Sequence, residues 1–141
     1  MSANIYLSIG AALSAIVAVL HIGCIYFGAT WYRFMGAGEK MATLAERGSV
    51  KPTIITSFIV LVFAIWSLYA LSGAGVISQL PLLRWMLSAV TAIYLLRGVA
   101  GFFLYTNPLG RTPGFWLWSS GICLALGLIH MIGLKQVWAQ I

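Results

Sequence analysis

Residues 5–27 read IYLSIGAALSAIVAVLHIGCIYF, and the only strongly polar side chain in this stretch is that of His21. A helix of roughly 20 apolar residues crosses a hydrocarbon core about 30 Å thick. Three further stretches meet this requirement, at about 52–71, 82–105 and 114–137. Because lipid offers the backbone no hydrogen bonds, each stretch should be helical. The sequence therefore predicts an all-α membrane protein, in which residues 1–141 form a single integral-membrane domain with four transmembrane helices in a bundle.

The composition excludes several classes of protein. The chain has 141 residues, of which 62% are hydrophobic and 7% are charged, and its mean hydropathy is +1.00. Soluble domains carry about 25% charged residues, so a soluble or disordered chain is excluded. The net charge is +6, but the eight lysines and arginines are spread along the chain. A nucleic-acid surface needs a clustered basic patch, so this class is excluded. The first span lacks a basic leader and exceeds the roughly 7–15 apolar residues of a signal peptide, so we expect it in the mature protein.

The distribution of lysine and arginine predicts the orientation. The loops after the first and third spans carry five of these residues: Arg33, Lys40, Arg47, Lys51 and Arg111. The opposite side carries only Arg84 and Lys135. Since cytoplasmic loops are enriched in positive charge, we expect these two loops in the cytoplasm and both termini outside. The expected location is a plasma (inner) membrane of the bacterial type.

The loop between the first and second spans contains an amphipathic stretch at about 38–48. On a helical wheel one face carries Met41, Leu44, Ala45 and Gly48, and the other carries Glu39, Lys40, Thr43, Glu46 and Arg47. This pattern is typical of a helix lying in the membrane interface. In an alternative interpretation the helix is a lid that brings Glu39 or Glu46 to a partner inside the membrane.

Each of the four spans contributes polar side chains at a similar depth. At a rise of about 1.5 Å per residue, these groups lie about 6–14 Å from the predicted cytoplasmic ends. They are His21, Thr56, Ser57, Arg97, Ser119, Ser120 and Cys123. Ionisable groups at membrane depth are costly and commonly functional. We therefore interpret five of them as ligand-binding candidates: Arg97, His21, Ser119, Ser120 and Ser57.

Arg97 gives the strongest single signal. An arginine at the membrane centre costs about 2.5–3.5 kcal/mol on insertion scales. Its side chain could extend to the headgroups, or it could face the other helices and hold an anion such as a lipid phosphate or a substrate carboxylate. The spans contain no acidic residue. A counter-charge would therefore come from Glu39, Glu46, a lipid or a ligand.

Two spans carry stripes of small residues that include a histidine. The stripes are Gly10, Ser14, Ala18, His21, Cys24 and Gly28 in the first span, and Ser119, Cys123, Gly127 and His130 in the fourth. Small residues let helices approach closely. Both stripes should therefore face inward, where they can pack on one another. They could also mediate association into a homo-oligomer.

The depths of the histidines and cysteines argue against a cofactor. His130 lies about 24 Å from the cytoplasmic end, well over 10 Å beyond the level of His21. Two histidines so far apart cannot ligate one haem iron within a subunit, and zinc needs three or four ligands about 2 Å away. Cys24 and Cys123 differ in depth by about 9 Å, which is beyond disulfide reach. We expect no cofactor and no metal, and both cysteines as packing residues.

Three functions remain open. The first is binding or transport of a small or lipid-like anionic ligand in a polar pocket near the cytoplasmic face. The second is an integral-membrane enzyme that uses Glu39 or Glu46 with His21 as acid and base, although no catalytic motif is present. The third is an accessory or assembly subunit of a membrane complex, in which the polar layer only joins the helices.

Overall fold

The computed structural model describes residues 2–141, and across these residues the secondary structure is helical. The elements are α1 (Ile5–Phe27), α2 (Ala29–Phe34), α3 (Glu39–Glu46), α4 (Lys51–Ala74), α5 (Leu83–Phe103) and α6 (Pro113–Val137). Within this described part, four helices are long and apolar enough to cross a membrane, namely α1, α4, α5 and α6. This confirms the predicted fold class at the level of an all-helical chain with four candidate spans.

The ends of α1 follow from local chemistry. Asn4 caps its first turn, because the Asn4 side chain accepts a hydrogen bond from the Leu7 amide at 3.0 Å. The side-chain nitrogen of Asn4, Nδ2, also donates to Gln136 Oε1 at 2.7 Å, which ties the start of α1 to the end of α6. At the other end, Gly28 has a φ of +75°, a conformation that favours glycine and ends the helix. The predicted bounds of 5–27 are confirmed.

The end of α4 differs from the prediction. The sequence predicts that the second span ends at about residue 71, but α4 continues to Ala74. Tertiary packing explains the extra turn: Ser72, Gly73 and Ala74 are all buried, and Gly73 lies directly against Leu87 of α5. The helix ends one residue later, because Gly75 adopts the left-handed conformation of a C-terminal cap.

The long helices pack mainly in two pairs, α1 with α4 and α5 with α6, and contacts between α1 and α6 connect the pairs. Close approach within the second pair depends on two glycines. Gly98 of α5 lies against Leu124, and Gly127 of α6 lies against Leu95. Many large apolar side chains on the outer faces are exposed, as expected for surfaces that contact lipid; examples are Phe58, Leu96 and Ile122.

The connector between α1 and α4 is folded rather than extended. It contains α3, close to the predicted stretch 38–48, and the short α2, which was not predicted from the sequence. Ala42 of α3 is fully buried and packs with Cys24 and Tyr32. The Tyr32 hydroxyl forms a hydrogen bond with Thr56 Oγ1 at 3.0 Å. The connector is thus joined to both α1 and α4.

Candidate functional site

Arg97 faces α6. Its Nη2 donates a hydrogen bond to Ser119 Oγ at 3.2 Å, and its guanidinium carbon lies 4.9 Å from the centre of the Trp116 ring. Trp116 is 5% exposed, and its indole N–H donates to the Pro108 carbonyl at 2.8 Å, which fixes the ring. The guanidinium of Arg97 therefore lies between α5 and α6, at the same depth along the helices as Ser119.

Two buried polar atoms beside this contact have no hydrogen-bond partner among residues 2–141: Arg97 Nη1 and Ser120 Oγ. Both lie next to the α-carbon of Gly101, where a β-carbon would collide with them. Glycine at position 101 thus provides the space that these two atoms occupy. An unpartnered buried donor costs about 1–3 kcal/mol, and more when it is charged. These two atoms are therefore available to a further hydrogen-bonding group.

Arg111, in the loop between α5 and α6, is a second cation at the same indole. Its guanidinium carbon lies 5.6 Å from the centre of the Trp116 ring and 5.0 Å from that of Phe115. Although the residue is exposed overall, partial desolvation against these rings, together with the positive charge of Arg97, lowers the pKa of Arg111. Two arginines that repel one another share one aromatic ring, an arrangement that favours the binding of an anion.

The predicted counter-charges, Glu39 and Glu46, are salt-bridged to Arg33 rather than to Arg97. The carboxylate of Glu39 lies 2.6 Å from Arg33 Nη2, and that of Glu46 lies 2.7 Å from Arg33 Nη1. Hydrogen bonds from Arg33 lower the pKa of Glu39, and the two carboxylates raise the pKa of Arg33. Within residues 2–141, no acidic side chain forms a salt bridge with Arg97 or Arg111.

His21 belongs to the α1–α4 pair. Its Nδ1–H donates to the Val17 carbonyl of its own helix at 2.7 Å, and its ring stacks on Phe63 with centroids 5.7 Å apart. A cavity of about 230 Å³ is lined by His21, Thr56 and Arg111, among others.

The predicted polar layer is thus divided between the two helix pairs. One group lies at the α5–α6 contact and consists of Arg97, Ser119 and Ser120. The other group consists of His21 of α1 and Thr56 of α4, which line one cavity. Ser57, predicted at the same depth, is exposed and does not line this cavity. Arg111 contacts Trp116 beside the first group and lines the cavity of the second, although the sequence indicated for it only a role in orientation. Its place directly before the fourth span was the available signal.

A third polar group lies deeper. His130 is fully buried, its Nδ1–H donates to the Leu126 carbonyl at 2.8 Å, and its ring packs 5.2 Å from that of Tyr94. The Tyr94 hydroxyl forms a hydrogen bond with Ser14 Oγ at 2.8 Å. Ser14, Tyr94 and His130 thus join α1, α5 and α6. Among residues 2–141, none of the three forms a hydrogen bond or ring contact with His21. In residues 2–141, no three histidine, cysteine or acidic side chains are grouped so that they could hold a metal ion.

Comparison with known protein families, curated proteins and solved structures finds no match for this chain.

Proposed function

We propose that the protein binds or transports a small or lipid-like anion, held at the α5–α6 contact by Arg97 and Arg111. One observation carries the proposal. Arg97 Nη1 and Ser120 Oγ are buried side by side without a hydrogen-bond partner among residues 2–141. A carboxylate or phosphate oxygen accepts hydrogen bonds from both kinds of group and also neutralises the guanidinium.

Each residue of the site has a separate role in this proposal. Arg97 provides the charge, and Ser119 orients its guanidinium through the 3.2 Å hydrogen bond. The Ser120 hydroxyl donates a hydrogen bond to the anion. Arg111 adds a second positive charge over the ring of Trp116, which Arg97 also contacts. His21 provides a further polar group in the cavity that Arg111 also lines.

The proposal includes a membrane setting. The four long helices form a transmembrane bundle in a plasma membrane of the bacterial type, and α3 lies in the interface. The ends of α1 and α5, with the loops that follow them, face the cytoplasm, because these loops carry five basic residues against two on the other side. Single cysteines at Ser49 and Gln79 test this orientation. Labelling of Ser49→Cys by an impermeant reagent from outside intact cells would reverse it.

The binding test uses thermal stabilisation by an anion, since a ligand that binds the folded state raises the melting temperature. The purified protein is titrated with inorganic phosphate in neutral detergent and, separately, reconstituted with phosphatidylglycerol or phosphatidylcholine. We expect phosphate, phosphatidylglycerol or both to raise the melting temperature. The increase should be lost in Arg97→Gln and reduced in Ser120→Ala.

Arg47→Gln is the matched control, because it removes one exposed positive charge from the same end of the molecule. It should keep the stabilisation of the wild-type protein. Equal stabilisation of wild type and Arg97→Gln, with both proteins folded, contradicts the proposal. Equal loss in Arg97→Gln and Arg47→Gln also contradicts it, because the effect would then be one of net charge only.

A further inference from the structure

The cavity beside His21 is mostly apolar and lies next to the proposed anion site. It is lined by residues of α1, the connector helices, α4 and the start of α6, together with Arg111 of the loop before α6. Its apolar lining includes Cys24, Met35, Met41, Ile55, Ile59 and Phe115. Its polar lining includes His21, Thr56 and Arg111. A wall of this composition, apolar with a few polar groups, is typical of sites for small organic ligands.

The size of the cavity limits what can fill it. Its volume is about 230 Å³, and a water molecule takes about 30 Å³ in the liquid. The cavity therefore holds about eight groups of that size. A bare inorganic anion would leave most of the apolar wall uncovered, whereas a membrane acyl chain of about sixteen carbons has about twice as many groups as this volume holds.

Arg111 determines where in the cavity the charged end of a ligand would lie. Arg111, Gly36 and Phe115 line this cavity and also line a second, wider opening of about 450 Å³ at the same end of the molecule. The guanidinium thus lies where the two spaces meet. An anionic group there would remain near Arg111 while an apolar body extends toward Ile59.

Hydrogen-bonding groups remain inside. The hydroxyls of Tyr32 and Thr56 form one mutual hydrogen bond, and because each hydroxyl carries one proton, the pair keeps one proton to donate. His21 uses Nδ1–H on the Val17 carbonyl, so its Nε2 is an acceptor when the ring is neutral. The cavity can therefore bind a ligand that has a polar atom on an otherwise apolar body.

From these four features we propose that the cavity binds a compact amphipathic anion, an aromatic or short-chain aliphatic carboxylate of about eight to ten non-hydrogen atoms, with its carboxylate at Arg111. This inference rests on the proposed function, since it places the anionic group at Arg111, one of the two arginines of that site. It adds the chemical class of the ligand.

The test measures how affinity depends on the apolar part of the probe. Radiolabelled acetate, benzoate, hexanoate, octanoate and dodecanoate are dialysed against the full chain in phosphatidylcholine nanodiscs, with empty nanodiscs as the blank. We expect benzoate and octanoate to bind at least about tenfold more tightly than acetate, because an apolar body is buried. Dodecanoate should not bind more tightly than octanoate once partition into lipid is subtracted.

A variant that fills the cavity checks the location. Ile59→Trp should bring the affinity for benzoate down to that for acetate, and Ile59→Phe serves if the larger variant does not fold. Ile54→Trp is the control, because Ile54 lies on the same helix, is 64% exposed and does not line the cavity. It should leave the benzoate affinity unchanged.

The outcomes separate this inference from the proposed function. Equal affinities for acetate and benzoate, both lost in Arg97→Gln, overturn the inference and leave the function standing. Binding that rises steadily up to dodecanoate, or that requires phosphatidylglycerol, assigns the cavity to a lipid chain and also overturns it. Unchanged benzoate binding in a folded Ile59→Trp protein also overturns the inference, because the ligand would then bind outside the cavity. If neither the carboxylates, phosphate nor phosphatidylglycerol binds, both proposals fail.

Discussion

Gly10 of α1 lies against the imidazole of His130 on α6, so closely that a β-carbon at Gly10 would stand 2.7 Å from the Cε1 atom of the ring. His130 is fully buried and also packs on Tyr94. It therefore has little freedom to move away. The contact between α1 and α6 depends on the absence of a side chain at position 10.

This contact predicts that Gly10→Ala destabilises the protein. The added methyl group must displace a ring that its neighbours hold in place, and overpacking of this kind costs about 1–3 kcal/mol. The free energy of unfolding in mixed detergent micelles provides the measurement. Gly121→Ala is the control, because a β-carbon at Gly121 of α6 meets nothing within 4 Å. Equal stability of the Gly10→Ala and wild-type proteins would contradict the prediction.

Gly101→Ala should disturb the candidate site itself. A methyl group there collides with Ser120 Oγ and Arg97 Nη1, so we expect a loss of about 1–3 kcal/mol in stability and loss of the phosphate-dependent rise in melting temperature. Adding Ser120→Ala removes the nearest atom, and the double variant should regain part of the stability. A double variant no more stable than Gly101→Ala alone would show that the collision does not involve Ser120.

The hydrogen bond between Tyr32 and Thr56 should contribute to holding the connector on α4. Hydrogen bonds between membrane helices average about 0.6 kcal/mol in double-mutant cycles, so Tyr32→Phe and Thr56→Val should show a coupling of about that size. The free energies of unfolding of the wild type, both single variants and the double variant give the value. Strictly additive losses would mean that the two hydroxyls do not interact.

The ion pair of Arg33 with Glu39 predicts a pH dependence confined to the connector. Because the pKa of Glu39 is lowered from its ordinary value of 4.5, the stabilisation is present above that value and is lost as the pH falls through the folded-state pKa. Hydrogen exchange of residues 29–48 should therefore be faster in Glu39→Gln than in wild type at neutral pH, and the difference should shrink on acidification. Lys40→Gln, another exposed connector variant, should match the wild type. A pH-independent difference would rule out the ion pair as its cause.

The sequence predicted the long helices because length and hydropathy are sufficient to recognise a span. It did not predict the last turn of α4, since that turn is stabilised by burial of Gly73 and Ala74 against other helices, which no local pattern encodes. It also missed α2. Six residues are too few to show helical periodicity, and this helix is held in place by contacts of Tyr32.

The sequence predicts how far along each helix a polar residue lies, but not toward which neighbour its side chain points. Counting residues along a helix gives depth, and Arg97 and Ser119 do lie within hydrogen-bond distance. The same count put Ser57 beside Thr56, yet Thr56 is buried and Ser57 is exposed, because neighbouring residues on a helix point about 100° apart. The position of Arg111 depends on how its loop folds over Trp116, which depth along a helix does not describe.

Arg33 binds both acidic side chains of the protein. Of the eight lysines and arginines, the other seven therefore lack a carboxylate side chain as a salt-bridge partner anywhere in residues 2–141. Electroneutrality must be completed from outside the polypeptide, by lipid phosphates or dissolved ions. The folded chain is a polycation with four helices apolar enough to cross a membrane. In a bilayer, the anionic lipids around it would therefore be part of its charge balance.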